Sequence, residues 1–140
     1  MPRIIALDYG KKRVGVAVTD DLQIVASGLT TLPVKDIIEF LEDYINKYEV
    51  SVIVIGLAVD LKNNLSESAK YIEPFVNRIR KMFPTINIER VDERFTSKMA
   101  FQTMIDGGLK KKARQNKELI DKISATIILQ SYLEQQNNFR

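Results

Sequence analysis

Val50-Ser51-Val52-Ile53-Val54-Ile55-Gly56-Leu57 is a nearly continuous apolar run. A strand with one face in water alternates apolar and polar residues, whereas a run like this suits a parallel strand covered on both faces. Parallel neighbours require crossover connections, usually helical, so the run predicts an α/β sheet with helices on both sides and itself near the middle.

The flanking sequence supplies the other layers. Ile4-Ile5-Ala6-Leu7 reads as an apolar strand ending on Asp8, followed by a tight turn at Gly10-Lys11-Lys12 and a second strand from Arg13 to Thr19. Ile24 to Thr31 reads as a third strand, and the short turns between these three predict an antiparallel meander. Pro33 and Asp36 open a helix with Ile37, Ile38, Leu41, Tyr44, Ile45 and Tyr48 on one face. After a polar loop from Asp60 to Ser68, Asn64 and Glu67 can form a capping box for a helix reaching Phe83, in which Pro74 predicts either a kink or a later start. Ile86 to Val91 alternates as a strand does and is followed by Asp92-Glu93-Arg94. Thr96 caps a further helix that ends at Gly107-Gly108. A last helix from Glu118 to Gln136 presents Ile120, Ile123, Ile127, Leu129 and Leu133. The expectation is one domain over residues 1–140, built on a mixed five-stranded sheet: a three-stranded antiparallel meander plus parallel strands, with helices on both faces.

Composition narrows the chemistry. The 140 residues contain no cysteine and no histidine, which excludes disulfides, thiolate zinc sites, cysteine nucleophiles and imidazole chemistry. Acids, Lys, Tyr, Ser or Thr must carry any reaction. The start of the chain has no signal-peptide pattern and no apolar run approaches the roughly 20 residues of a membrane span, so a cytoplasmic protein without a membrane partner is expected. A net charge of +3 is a mild excess, and its distribution matters more than its size.

Three acidic positions sit at element ends beside apolar sequence: Asp8, the pair Asp92-Glu93, and Asp121. If the first and last strands run parallel, Asp8 and Asp92-Glu93 lie at one edge, where α/β sheets bind ligands, and Asp121 on the first turn of the last helix can reach it. Carboxylates gathered there repel one another unless a cation holds them, and an all-oxygen donor set suits Mg²⁺ or Mn²⁺. The plainer reading also stands: strand-end acids form turns, Asp121 can cap its helix or meet Lys117 and Lys122, and Glu93 can pair with Arg94. Lys110 to Lys117 carries five positive charges in eight residues without an apolar stripe, as either solvated surface or a phosphate-binding loop. Candidates for phosphate contact are Lys11, Lys12, Arg13, Arg94, Lys110, Lys111, Lys112 and Arg114. Tyr9 can stack on a base or pack in the core.

Leu7-Asp8-Tyr9-Gly10-Lys11-Lys12-Arg13-Val14-Gly15-Val16-Ala17, Val91-Asp92-Glu93-Arg94-Phe95-Thr96-Ser97 and Asp121-Lys122-Ile123-Ser124-Ala125-Thr126-Ile127-Ile128-Leu129-Gln130 closely resemble, in this order, the motifs of the bacterial YqgF/RuvX family. The resemblance covers essentially the whole chain. It implies a ribonuclease H-like fold and a cytoplasmic nuclease that trims the 5′ end of pre-16S rRNA, with Holliday junction resolution as the older alternative. By that resemblance Asp8, Glu93 and Asp121 are the catalytic metal ligands and Asp92 assists. The chain departs from the pattern at Ala58, where proline is usual, in the glycine-free loop Asp60 to Ser66, and at Ser124, where alanine is usual. The implied partners are precursor rRNA or branched DNA, and a ribosomal particle, with the protein a monomer or weak dimer. A non-catalytic ribosome-assembly factor is the reading from another class. A sugar-kinase-like ATPase would need a second glycine turn after Val91, which is missing.

Overall fold

A computed structural model describes residues 2–20, 26–57, 69–92 and 117–138. Strands β1 (Arg3–Tyr9), β2 (Arg13–Thr19) and β3 (Ala26–Pro33) are followed by a 3-10 turn (Val34–Asp36) and helix α1 (Ile37–Lys47). Then come β4 (Val50–Leu57), α2 (Ala69–Met82), β5 (Asn87–Asp92) and α3 (Lys117–Asn138). The strands form one five-stranded sheet in the order β3-β2-β1-β4-β5. β1, β2 and β3 pair antiparallel, while β4 runs parallel to both β1 and β5. The mixed sheet, its meander and the place of the apolar run agree with the sequence expectation.

The alternation of each strand sorts its residues between two cores. Ile5, Leu7, Val14, Val16, Val18, Ile53 and Ile55 face α1 and α2, meeting Ile37, Leu41, Ile72, Phe75, Val76 and Ile79. Ile4, Ala6, Ala17, Val52, Val54 and Val91 face α3, meeting Ala125, Ile128, Leu129 and Tyr132. Helices therefore cover both faces, which is why β4 needs no polar side. The α3 face is made of smaller residues in β1 and β2, so the helix lies close to those strands.

Some boundaries move. β3 ends at Pro33, two residues beyond the expected strand, because the pairing Arg13↔Pro33 carries the ladder to the end of β2. α1 begins after a 3-10 turn, and Tyr48 stands beyond it, 41% exposed. α2 runs through Pro74, whose ring is exposed on the solvent side. In α3 the buried face is Ser124, Ala125, Ile127, Ile128, Leu129 and Tyr132, with Ile120 and Ile123 only half-buried. The expected helix after Thr96, the Asp60–Ser68 loop and the basic Lys110–Arg114 stretch lie outside the described residues. Among the described residues no helix is long and apolar enough to cross a membrane.

Two polar arrangements brace the sheet. The Arg90 guanidinium donates to the carbonyls of Ile55 (3.3 Å) and Gly56 (3.0 Å) and to both carboxylate oxygens of Glu73 (2.8 and 3.1 Å), fastening α2 to the C-terminal end of β4. Thr19 is buried but accepts a hydrogen bond from the Ile4 amide at 2.9 Å. Ser124 contrasts with it: its hydroxyl is buried with no hydrogen-bond partner among the described residues. An unsatisfied buried hydroxyl costs stability that a methyl group does not. Ser124→Ala is expected to raise the unfolding free energy by about 1 kcal/mol, measured by urea denaturation; a loss of stability would show that the hydroxyl is satisfied.

Candidate active site

Parallel pairing brings the C-terminal ends of β1, β4 and β5 to one end of the sheet, and antiparallel pairing brings the start of β2 to the same end. Asp8, half-buried, occupies the second-last position of β1 opposite Gly15 of β2. It follows Ile4 and Ala6 by the two-residue strand period, so it stands on the α3 face. Asp92 closes β5 in register with Leu57. Its side chain, together with Glu93 and Arg94, lies outside the described residues.

Asp121 comes from the other end of the chain and is placed by backbone contact. A Cβ atom built on Gly15 would collide with the Asp121 carbonyl and come within 3.0 Å of the Lys122 amide nitrogen. Glycine at position 15 is therefore what lets the first turns of α3 rest on β2, opposite Asp8. Gly28 makes similar room further along, where a Cβ would lie 2.7 Å from Lys122 Cγ. Two of the four acids expected from the sequence are thus described and brought to one place, one from β1 and one from α3.

The bases divide by orientation. Lys11 and Lys12 form the two-residue hairpin loop, closed by a 2.8 Å hydrogen bond from the Gly10 amide to the Arg13 carbonyl, and both are exposed. The Val34 amide donates to the Lys12 carbonyl at 3.0 Å, so the loop is braced from behind. Arg13 turns inward: its Nε donates to Asp121 Oδ2 at 3.0 Å, with the two side chains 33% and 23% exposed. Gly10, Lys11, Lys12, Arg13 and Asp121 line a cleft of about 290 Å³. Lys110, Lys111, Lys112 and Arg114 lie outside the described residues.

Tyr9, next to Asp8, points to the opposite face. It stacks on Phe75 with ring centroids 4.3 Å apart and packs at 6.4 Å from Tyr71. Burial pushes its phenol pKa up, which outweighs the lowering by the Arg78 charge. Of the two roles open to Tyr9, packing is the one seen here.

The contributions of Gly15 and of Arg13 toward Asp121 escaped the sequence reading. Gly15 alternates with Ala17, and with Ala6 across the ladder it makes a small-residue stripe that signals a closely packed helix. Arg13 is 108 residues from Asp121, and no local pattern announces their pairing.

A five-stranded sheet of order β3-β2-β1-β4-β5, with β2 antiparallel to its neighbours and helices on both faces, is the ribonuclease H-like fold. Solved structures of the same fold include Thermus thermophilus RuvC in complex with Holliday junction substrate (TM-score 0.57, 14% identity, covering 97% of this chain and 96% of that one). Another is the fowlpox virus Holliday junction resolvase (TM-score 0.56, 16% identity, 96% and 99% covered). At sequence level, the model of the RuvX family, described as Holliday junction resolvase, matches residues 2–135. A Flavobacterium psychrophilum protein named as a candidate pre-16S rRNA nuclease is 59% identical over 133 residues, 95% of this chain and 97% of its own length. A Phocaeicola vulgatus protein of the same description is 59% identical over 134 residues, 96% of each chain. The chain belongs to the RuvX family.

Gly15→Ala is expected to lower the unfolding free energy by about 2–3 kcal/mol, because α3 must lift off β2 to admit the methyl group. Urea denaturation checks this, and wild-type stability would mean that α3 does not rest there.

Proposed function

We propose that this protein is a divalent-metal-dependent nuclease that hydrolyses phosphodiester bonds in structured RNA, with precursor 16S rRNA as its substrate in the cytoplasm. The observation that carries the reading is the delivery of Asp121 by α3 to the end of β1 where Asp8 stands, through the close contact at Gly15. Carboxylates are held together at a half-buried sheet end only against a cation. Asp121 already draws one, the Arg13 guanidinium at 3.0 Å.

The donor set fits a hard ion. Among the described residues no group of three or more acidic side chains gathers. Asp8 and Asp121 supply two carboxylates, and Glu93, following β5 by one residue, is the third we assign, with Asp92 as helper. Without histidine or cysteine in the chain, these oxygens suit Mg²⁺ or Mn²⁺. When bound, such an ion supplies Lewis-acid activation of water and of the phosphodiester, which suits a chain that has no imidazole base.

The remaining roles belong to the bases. Lys11 and Lys12, exposed on a braced loop at the cleft, hold substrate phosphates, and Arg13, Arg94, Lys110, Lys111, Lys112 and Arg114 are the further bases we assign to phosphate. These contacts give affinity that falls with salt. Cleavage of branched DNA is the second reading, favoured by the family's description as a Holliday junction resolvase. It requires two sites related by dimer symmetry to cut both strands.

Asp8→Asn is expected to reduce cleavage by at least about a hundredfold while preserving the circular dichroism spectrum. Assays with Mg²⁺ or Mn²⁺ on precursor rRNA and on four-way DNA junctions check this and separate the two substrates. Full activity of the variant would remove Asp8 from the reaction.

A further inference from the structure

Arg13 differs from the two lysines beside it. Lys11 and Lys12 are exposed, whereas Arg13 begins β2 on the face that Gly15 and Ala17 present to α3. That placement brings its guanidinium to Asp121 by a 3.0 Å charge-assisted hydrogen bond, at the acid we assign to a metal ion. Asp121 is 23% exposed, so its charge is only partly solvated and gains from a fixed counterion. A guanidinium and a divalent ion cannot share such a carboxylate at small cost, since two cations within a few ångströms repel each other in a poorly solvated site.

We propose that Arg13 is a resident stand-in cation: it competes with the divalent ion for Asp121, thereby setting the ion's affinity, and on displacement swings to substrate phosphate. This rests on the metal-dependent reading above and adds a role to Arg13 within it. The pair ties the hairpin to the N-terminal part of α3. The displaced guanidinium remains beside the cleft that it lines with Gly10, Lys11 and Lys12. Its planar fork suits phosphate oxygens. Ion binding and substrate binding then reinforce each other, because the ion releases a phosphate ligand that was otherwise engaged.

The test is calorimetric titration of Mn²⁺ into wild-type protein and Arg13→Gln, without substrate. Arg13→Gln is expected to bind Mn²⁺ roughly two- to fivefold more tightly, the range for releasing a partly exposed ion pair. The gain should vanish in an Asp121→Asn background, as a double-mutant cycle requires for a direct competition. Equal or weaker binding by Arg13→Gln overturns the stand-in role while leaving the metal site in place. Absence of Mn²⁺ binding by wild-type protein overturns the metal site itself and the stand-in role with it. Should Arg13→Gln fail to fold, wild-type protein still decides. Mg²⁺ must shift the Arg13 Nε–H NMR resonance toward that of a solvated guanidinium, and a resonance unmoved at saturating Mg²⁺ overturns the proposal.

Discussion

The close contact between the first turns of α3 and β2 at Gly15 holds the rest of the site in place. The helix reaches the strand backbone because Gly15 has no side chain and because Ala6 and Ala17 keep the neighbouring floor low. That approach converts a distant acid, Asp121, into a neighbour of the strand that pairs with Asp8. Without it, α3 could still bury Ile128 and Leu129, but its N-terminal turn would ride higher above the sheet and the two acids would not be gathered. Packing thus comes first, and the electrostatic arrangement follows from it.

Charge then has to be balanced. Acids beside a two-sided hydrophobic sheet have apolar neighbours, and two of them are met by arginines. Arg13 meets Asp121, and on the far side of the sheet Arg90 meets Glu73 while also holding the carbonyls of Ile55 and Gly56. The two pairs differ in what surrounds them. Arg90 is locked by four hydrogen bonds and fastens α2 to the sheet, so it serves the frame. Arg13 is bonded to Asp121 at a cleft that it lines with Lys11 and Lys12, so it stands at the site.

Much of the frame could be read in advance because its signals are local. The apolar run at Val50 to Leu57 and the meander of short strands led to the observed sheet, and Asp8 stood out as the charge ending an apolar strand. Long-range features were less legible. The buried face of α3 was legible in part: Ile127 and Leu129 are buried and Leu133 packs on the core as their spacing suggested, whereas Ser124, Ala125, Ile128 and Tyr132 join them and Ile120 and Ile123 are only half-buried. Arg90, within a strand read as alternating toward solvent, turned out to be a clamp because its partners are carbonyls and an acid on other elements. The pairing of Arg13 with Asp121 spans 108 residues and depends on how closely a helix approaches a strand, which no window of sequence contains.

The central claim is that Asp8, Asp121 and the segment at Glu93 converge on one divalent ion. Fe²⁺ substituted for Mg²⁺, with ascorbate and peroxide, generates hydroxyl radicals at the bound ion and cuts the nearby backbone. The account predicts cuts confined to three segments, around residues 8, 93 and 121, all suppressed together by excess Mg²⁺. Cleavage at one segment alone, or cuts that Mg²⁺ does not suppress, would contradict it.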